Sequence, residues 1–132
     1  MQLEEYLESQ QPELPLKGTQ IAREKILQLS RAIVTEFKPE KIILFGSYVY
    51  GEPQNDSDVD LLVILPYEGS SLRKIWEILN KVQPEFAIDL LVRSPQEVEQ
   101  RLAWNDFFMQ EIIKKGKVIY ESANNIKQLN TI

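Results

Sequence analysis

Asp58 and Asp60 stand two apart at the head of an apolar segment that continues through Leu61, Leu62 and Val63. Alternate side chains of a strand share a face, so Asp-x-Asp at this point presents two carboxylates side by side. Paired carboxylates repel, and a hard divalent cation removes the repulsion. Mg²⁺ is usually held by one or two carboxylates together with substrate phosphates and water, so the pair points to a Mg²⁺-dependent nucleotide site. Asp89 is a third clue, because it interrupts the otherwise apolar run Phe86-Ala87-Ile88-Asp89-Leu90-Leu91-Val92. Desolvating an ion there costs on the order of several kcal/mol unless something compensates, and a metal shared with Asp58 and Asp60 would do so. Three such carboxylates on neighbouring strands can bind two metal ions. One would activate a substrate hydroxyl and the other would stabilise a leaving pyrophosphate during in-line displacement at a nucleotide α-phosphorus. The chain contains no His, which makes Asp89 also the best candidate for general base.

Gly46-Ser47 complements this set. Glycine admits close approach of backbone to a phosphate, and the Ser hydroxyl can donate to phosphate oxygens. Each feature has a plainer reading in isolation. Gly46-Ser47 can be an ordinary turn after a strand, Asp56-Ser57-Asp58 can cap a turn, and Asp89 can pair with a cation such as Lys41. Their coincidence at consistent spacing favours the nucleotide site.

The elements that must position these residues are legible from apolar spacing. Ala22, Ile26, Leu29, Ile33 and Phe37 form the inner stripe of a helix with Thr19 as N-cap and Pro39 beyond its end. Lys41 to Phe45 reads as a buried strand, followed by a loop containing Gly51, Pro53 and Asn55, and then a second strand from Val59 to Leu65. Leu72, Ile75, Trp76, Leu79 and Val82 space out as the inner face of a helix starting near Ser70 or Ser71. Phe86 to Val92 is the third strand, and Ser94-Pro95-Gln96-Glu97 is a capped helix start. Two helical pieces fill 95–115; Trp104, Phe107, Phe108 and Ile112 follow helical spacing and are expected in the core, a partner-binding patch being the alternative. Gly116 suits a helix C-terminus, and Val118-Ile119-Tyr120 a closing edge strand. The expected fold is α/β, a mixed sheet of about four strands with helices packed on it. Expected boundaries are an N-terminal extension at 1–18, the domain at 19–121, and a tail at 122–132.

Composition narrows the class. The 132 residues carry 15 Lys plus Arg against 20 Asp plus Glu, a net charge of −5, and no Cys. Disulfides, thiolate metal sites and Cys nucleophiles are excluded. The acidic balance disfavours direct DNA binding through bulk charge, while nucleotides held through cations remain compatible. The N-terminus lacks the features of a secretory signal and no apolar run spans a bilayer, so a cytoplasmic location without membrane contact is expected. Homo-oligomerisation is left open.

This constellation resembles the DNA polymerase β-like nucleotidyltransferase superfamily, and within it the minimal nucleotidyltransferases, whose signature is Gly-Ser, ten residues, Asp-x-Asp, and a later Asp on an apolar strand. Here ten residues separate Ser47 from Asp58, Asp60 completes the motif, and Asp89 follows. The resemblance spans about residues 20–121. It implies the nucleotidyltransferase fold, Mg²⁺ held by Asp58, Asp60 and Asp89 in a two-ion site, triphosphate held at Gly46 and Ser47, and transfer of AMP from ATP to a hydroxyl. Stand-alone members resemble antitoxins that bind HEPN-domain ribonuclease toxins and can AMPylate a tyrosine, which makes such a toxin the implied partner. One departure is visible: where the family often has Arg after Gly-Ser, this chain has Tyr48-Val49-Tyr50. Arg73, Lys74 and Arg93 are the candidate replacements for phosphate binding. Tyr48 and Tyr50 either stack on a nucleobase or pack on the loop. Two other functions remain open, a non-catalytic binding module that neutralises its partner by contact alone and a small-molecule transferase of aminoglycoside type.

Overall fold

The computed structural model describes residues 21, 23–51, 53 and 57–123. In chain order these form α1 (Arg23–Phe37), β1 (Lys41–Phe45), α2 (Ser47–Tyr50), β2 (Val59–Ile64), α3 (Ser71–Val82), β3 (Ile88–Arg93), α4 (Pro95–Ala103), α5 (Phe107–Lys115) and β4 (Lys117–Glu121). The four strands make one sheet in the order β3-β2-β1-β4. β1 runs antiparallel to both β2 and β4, and β2 runs parallel to β3. A parallel pair needs a crossover, which α3 supplies between β2 and β3.

Both faces of the sheet are covered, which is why β1 and β2 read as nearly continuous apolar runs rather than alternating ones. Ile42, Leu44, Val59, Leu61, Val63, Leu90 and Val92 pack with Ile26, Leu29 and Ile33 of α1 and Ile78 of α3. The opposite parity, Ile43, Phe45, Leu62 and Ile64, packs with Val98 of α4 and with Met109 and Ile112 of α5. Asp60 and Asp89 have the second parity, so they belong to the α4–α5 face.

Local signals set the helix ends. The Ser70 hydroxyl accepts from Arg73 N–H at 3.1 Å. Ser94 and Glu97 form a reciprocal capping box, with Glu97 N–H donating to Ser94 Oγ at 3.1 Å and Ser94 N–H donating to Glu97 Oε1 at 2.8 Å. Asp106 accepts from Met109 N–H at 3.1 Å. The β4 strand pairs with β1 through an irregularity that skips Ile119, since Ile42 faces Tyr120 and Ile43 faces Val118. No helix among the described residues is long and apolar enough to cross a membrane.

Several expectations need correction. Leu72 and Trp76 do not face inward; they are 76% and 65% exposed. The buried member of α3 is Ile78, and Trp76 lies two residues, or about 200° of helical rotation, away from it. Trp104, Phe107 and Phe108 are also exposed, and of that group only Ile112 is buried. Trp104 is the C-cap of α4 rather than part of α5, so the turn at 104–106 breaks the helical register that seemed to align it with Phe108. The residues after Gly46 form the short helix α2 instead of a loop, and the third strand begins at Ile88, two residues later than the apolar run. The Thr19 cap, the 1–18 extension and the tail beyond Ala123 lie outside the described residues.

Candidate active site

Register brings the acidic residues together. Asp60 is the direct Cα partner of Asp89 across the parallel β2–β3 pair, and residues opposite one another in a parallel ladder project from the same face. Asp58 precedes β2 by one residue and shares the parity of Asp60. Asp60 is half-buried while Asp58 and Asp89 are exposed, so the desolvation expected at Asp89 in its apolar run falls on Asp60 instead, because β3 is an edge strand. Burial, then the Asp89 charge, then the Asp58 charge push the Asp60 carboxyl up from 3.8 to about 6. Asp60 therefore feels the charges of both neighbouring carboxylates. None of the ion pairs among the described residues engages any of them. Lys41, the alternative partner for Asp89, instead pairs with Glu121 at 3.3 Å.

Gly46 joins the second half of the site to the first. On the antiparallel side, Phe45 is the register partner of Asp60, so Gly46 emerges from β1 beside that carboxylate. Its φ of 78° lies in the left-handed region, and a Cβ added there would run into Asp60 Oδ2 and stand 3.0 Å from its Cγ. Glycine is required twice over, by conformation and by contact. Ser47 opens α2, and the Gly46 carbonyl accepts from Val49 N–H at 3.0 Å and Tyr50 N–H at 3.2 Å. The strand end, the turn and the carboxylates thus occupy one corner of the sheet.

The hard oxygen donors, their mutual repulsion and the lack of a basic partner fit a Mg²⁺ held by one or two carboxylates with phosphate oxygens and water. Among the described residues no group of three acidic side chains forms a ready-made cage for a metal ion. Asp60 with Asp89 or with Asp58 would be the protein's share of such a site.

The suggested basic replacements are elsewhere. Arg93 pairs with Ile64, four residues along β3 from Asp89, or roughly 13 Å at about 3.3 Å per residue. Lys74 lies 3.3 Å from Glu77 and 5.4 Å from the centre of the Phe37 ring, and Arg73 pairs with Glu77 at 3.8 Å. The Tyr48 hydroxyl accepts from Ile21 N–H at 3.0 Å, which is the packing role, whereas Tyr50 is half exposed. A pocket of about 340 Å³ lies on the α1 side, lined by Ile26, Leu44, Tyr48 and Ile119 among others, on the sheet face opposite Asp60 and Asp89.

Phe45 borders Asp60 across the β1–β2 pair and carries Phe108 against it, and neither was singled out as a site residue by spacing. Their rings meet edge to face at 5.9 Å. The only sequence signal was the adjacency of Phe45 to Gly46.

A mixed sheet with Gly-Ser at the end of one strand, Asp-x-Asp at the start of the next and a registered Asp on a third is the arrangement of a nucleotidyltransferase. The profile of the family described as polymerase beta, nucleotidyltransferase matches residues 27–125, and the chain belongs to that family. A Methanocaldococcus jannaschii protein named as a protein adenylyltransferase is 26% identical over 83 residues, which cover 61% of this chain and 78% of that one. A crystal structure assigned as a nucleotidyltransferase of Sulfolobus solfataricus superposes with a TM-score of 0.54 at 15% identity, covering 74% of this chain and 78% of the other. A variant of the MntA-HpeT toxin–antitoxin superposes with a TM-score of 0.51 at 20% identity, covering 84% and 86%. The family resemblance carried by Gly46-Ser47, Asp58-x-Asp60 and Asp89 is thereby borne out, as is the mixed four-stranded fold.

Proposed function

We propose that this chain is an antitoxin that transfers AMP from ATP, with Mg²⁺, to a tyrosine hydroxyl of a cognate HEPN-domain ribonuclease toxin. The observation that carries the reading is the Asp60–Asp89 register pair, two like charges on one face with Asp58 close by and no ion pair to any of the three among the described residues. Asp58 and Asp60 would hold Mg²⁺ with the triphosphate, Gly46 and Ser47 would orient the phosphates, and Asp89 would bind metal or accept the proton of the acceptor hydroxyl. Binding of Mg²⁺ and nucleotide would draw all three carboxylates to a shared pair of ions. Support for the acceptor comes from the relative named as a protein adenylyltransferase and from the likeness to a toxin–antitoxin structure.

The second reading, neutralisation by contact alone, is favoured by Tyr48-Val49-Tyr50 standing where a basic residue is common, with Arg73, Lys74 and Arg93 all away from the carboxylates. Incubation with ATP, Mg²⁺ and the product of the neighbouring gene separates the two by intact mass. Nucleotide-sized increments that vanish with Asp58→Asn plus Asp60→Asn support transfer. Full neutralisation by that double variant, with no increment from the unmodified protein, overturns it.

A further inference from the structure

The α4–α5 layer carries a surface that the transfer chemistry does not explain. The α4–α5 corner exposes Trp104 at 71%, Phe107 at 73% and Phe108 at 55%. Since each ring has an area of roughly 150–250 Å², they present about 400 Å² of apolar surface, the size of patch that marks an interaction site. The corner is rigid. Asp106 caps α5 and also pairs with Arg101 at 3.1 Å, Asp106 N–H donates to Arg101 O at 2.9 Å, and Asn105 is fixed at a φ of 59°. The same Arg101–Asp106 pair leaves the corner without net charge of its own.

Its place in the fold says what covers it. On the α4–α5 face, the row of residues across the sheet runs Asp89, Asp60, Phe45, and Phe108 seats its ring edge-to-face against Phe45. Phe108 therefore joins the aromatic corner to the row that holds the carboxylates. An acceptor hydroxyl has to come within about 3–3.5 Å of the phosphorus held at those carboxylates, so a polypeptide acceptor must press on the surface beside them. We propose that the acceptor protein docks an apolar segment on Trp104, Phe107 and Phe108, placing its hydroxyl at Asp60 and Asp89. This rests on the transfer reading above and adds the surface that selects the acceptor. A nucleobase covers only one ring face, whereas three rings at a rigid corner match the aromatic anchors of a protein interface.

The test pairs two variants of the full chain with the purified product of the neighbouring gene. The chain has two Trp residues, so Trp76→Phe leaves Trp104 as the sole reporter, and docking shifts its emission to the blue. Trp104→Ala with Phe107→Ala removes two exposed rings without opening the core. It should weaken partner affinity by about tenfold or more, lower transfer in proportion, and leave both ATP affinity and melting temperature unchanged. Unaltered partner affinity together with no emission shift overturns the proposal. So does weakened ATP binding with normal partner affinity, which makes the rings a base platform, or the loss of self-association alone, which makes them a contact between copies. A wild-type chain that binds that product through these rings but never raises its mass overturns the transfer reaction and leaves the docking surface standing.

Discussion

Removing the charge of Asp60 is expected to stabilise the metal-free protein at neutral and alkaline pH. The carboxyl is pushed from 3.8 to about 6 by burial, Asp89 and Asp58, so the folded state holds its proton more tightly than the unfolded chain does. Stability is then greatest while both states are protonated, falls as pH rises from about 4 to about 6, and stays at the lower level above. At about 1.4 kcal/mol per tenfold, the full displacement corresponds to about 3 kcal/mol. Asp60 retains solvent contact, which reduces this to about 1–2 kcal/mol. Asp60→Asn should therefore melt about 3–8 °C above wild type at pH 8 in EDTA for a domain of this size. At pH 3.5 the advantage should disappear, because the neutral acid and the amide then have the same charge. Calorimetry or thermal unfolding followed by circular dichroism across pH 3.5–8 reads both ends of the comparison. Adding Mg²⁺ at pH 8 should raise the wild-type midpoint more than that of the variant. A variant no more stable relative to wild type at pH 8 than at pH 3.5 would refute the electrostatic account of this corner.

Gly46→Ala should reduce nucleotide transfer by at least about 100-fold, because it both forces a Cβ into the left-handed conformation and displaces Asp60; a steady-state assay with intact-mass readout checks it. Asp89→Asn is expected to slow transfer by about 10²–10⁴-fold while the chain still binds the acceptor, measured as rate against affinity on the same preparation. Ser94→Ala should cost about 1 kcal/mol in chemical denaturation and leave transfer unchanged, since its capping box lies at the far end of β3 from Asp89. Leu62→Ala, a fully buried change in a central strand, should cost about 2–5 kcal/mol by the same measurement.

The chain's own chemistry determined the kind of site and most of its members. Gly46-Ser47, Asp58-x-Asp60 and a carboxylate inside an apolar run are signals of residue type and spacing, which survive without coordinates; the cost of burial that drew notice to Asp89 does not apply, because Asp89 is exposed on the edge strand β3. Strands β1 and β2 were equally legible as apolar runs, and Ser94-Pro95-Gln96-Glu97 as a helix start, because these features depend on neighbours within a few residues. Only the tertiary structure decided that Asp89 lies directly opposite Asp60, since pairing register joins residues far apart in the chain. It also sent Arg93 to the other end of the sheet and turned Leu72, Trp76, Trp104, Phe107 and Phe108 outward. Apolar spacing records which residues avoid water in one helix, whereas which face is covered depends on where the next element packs, and the turn at 104–106 took Trp104 out of the single helical register that spacing assumes.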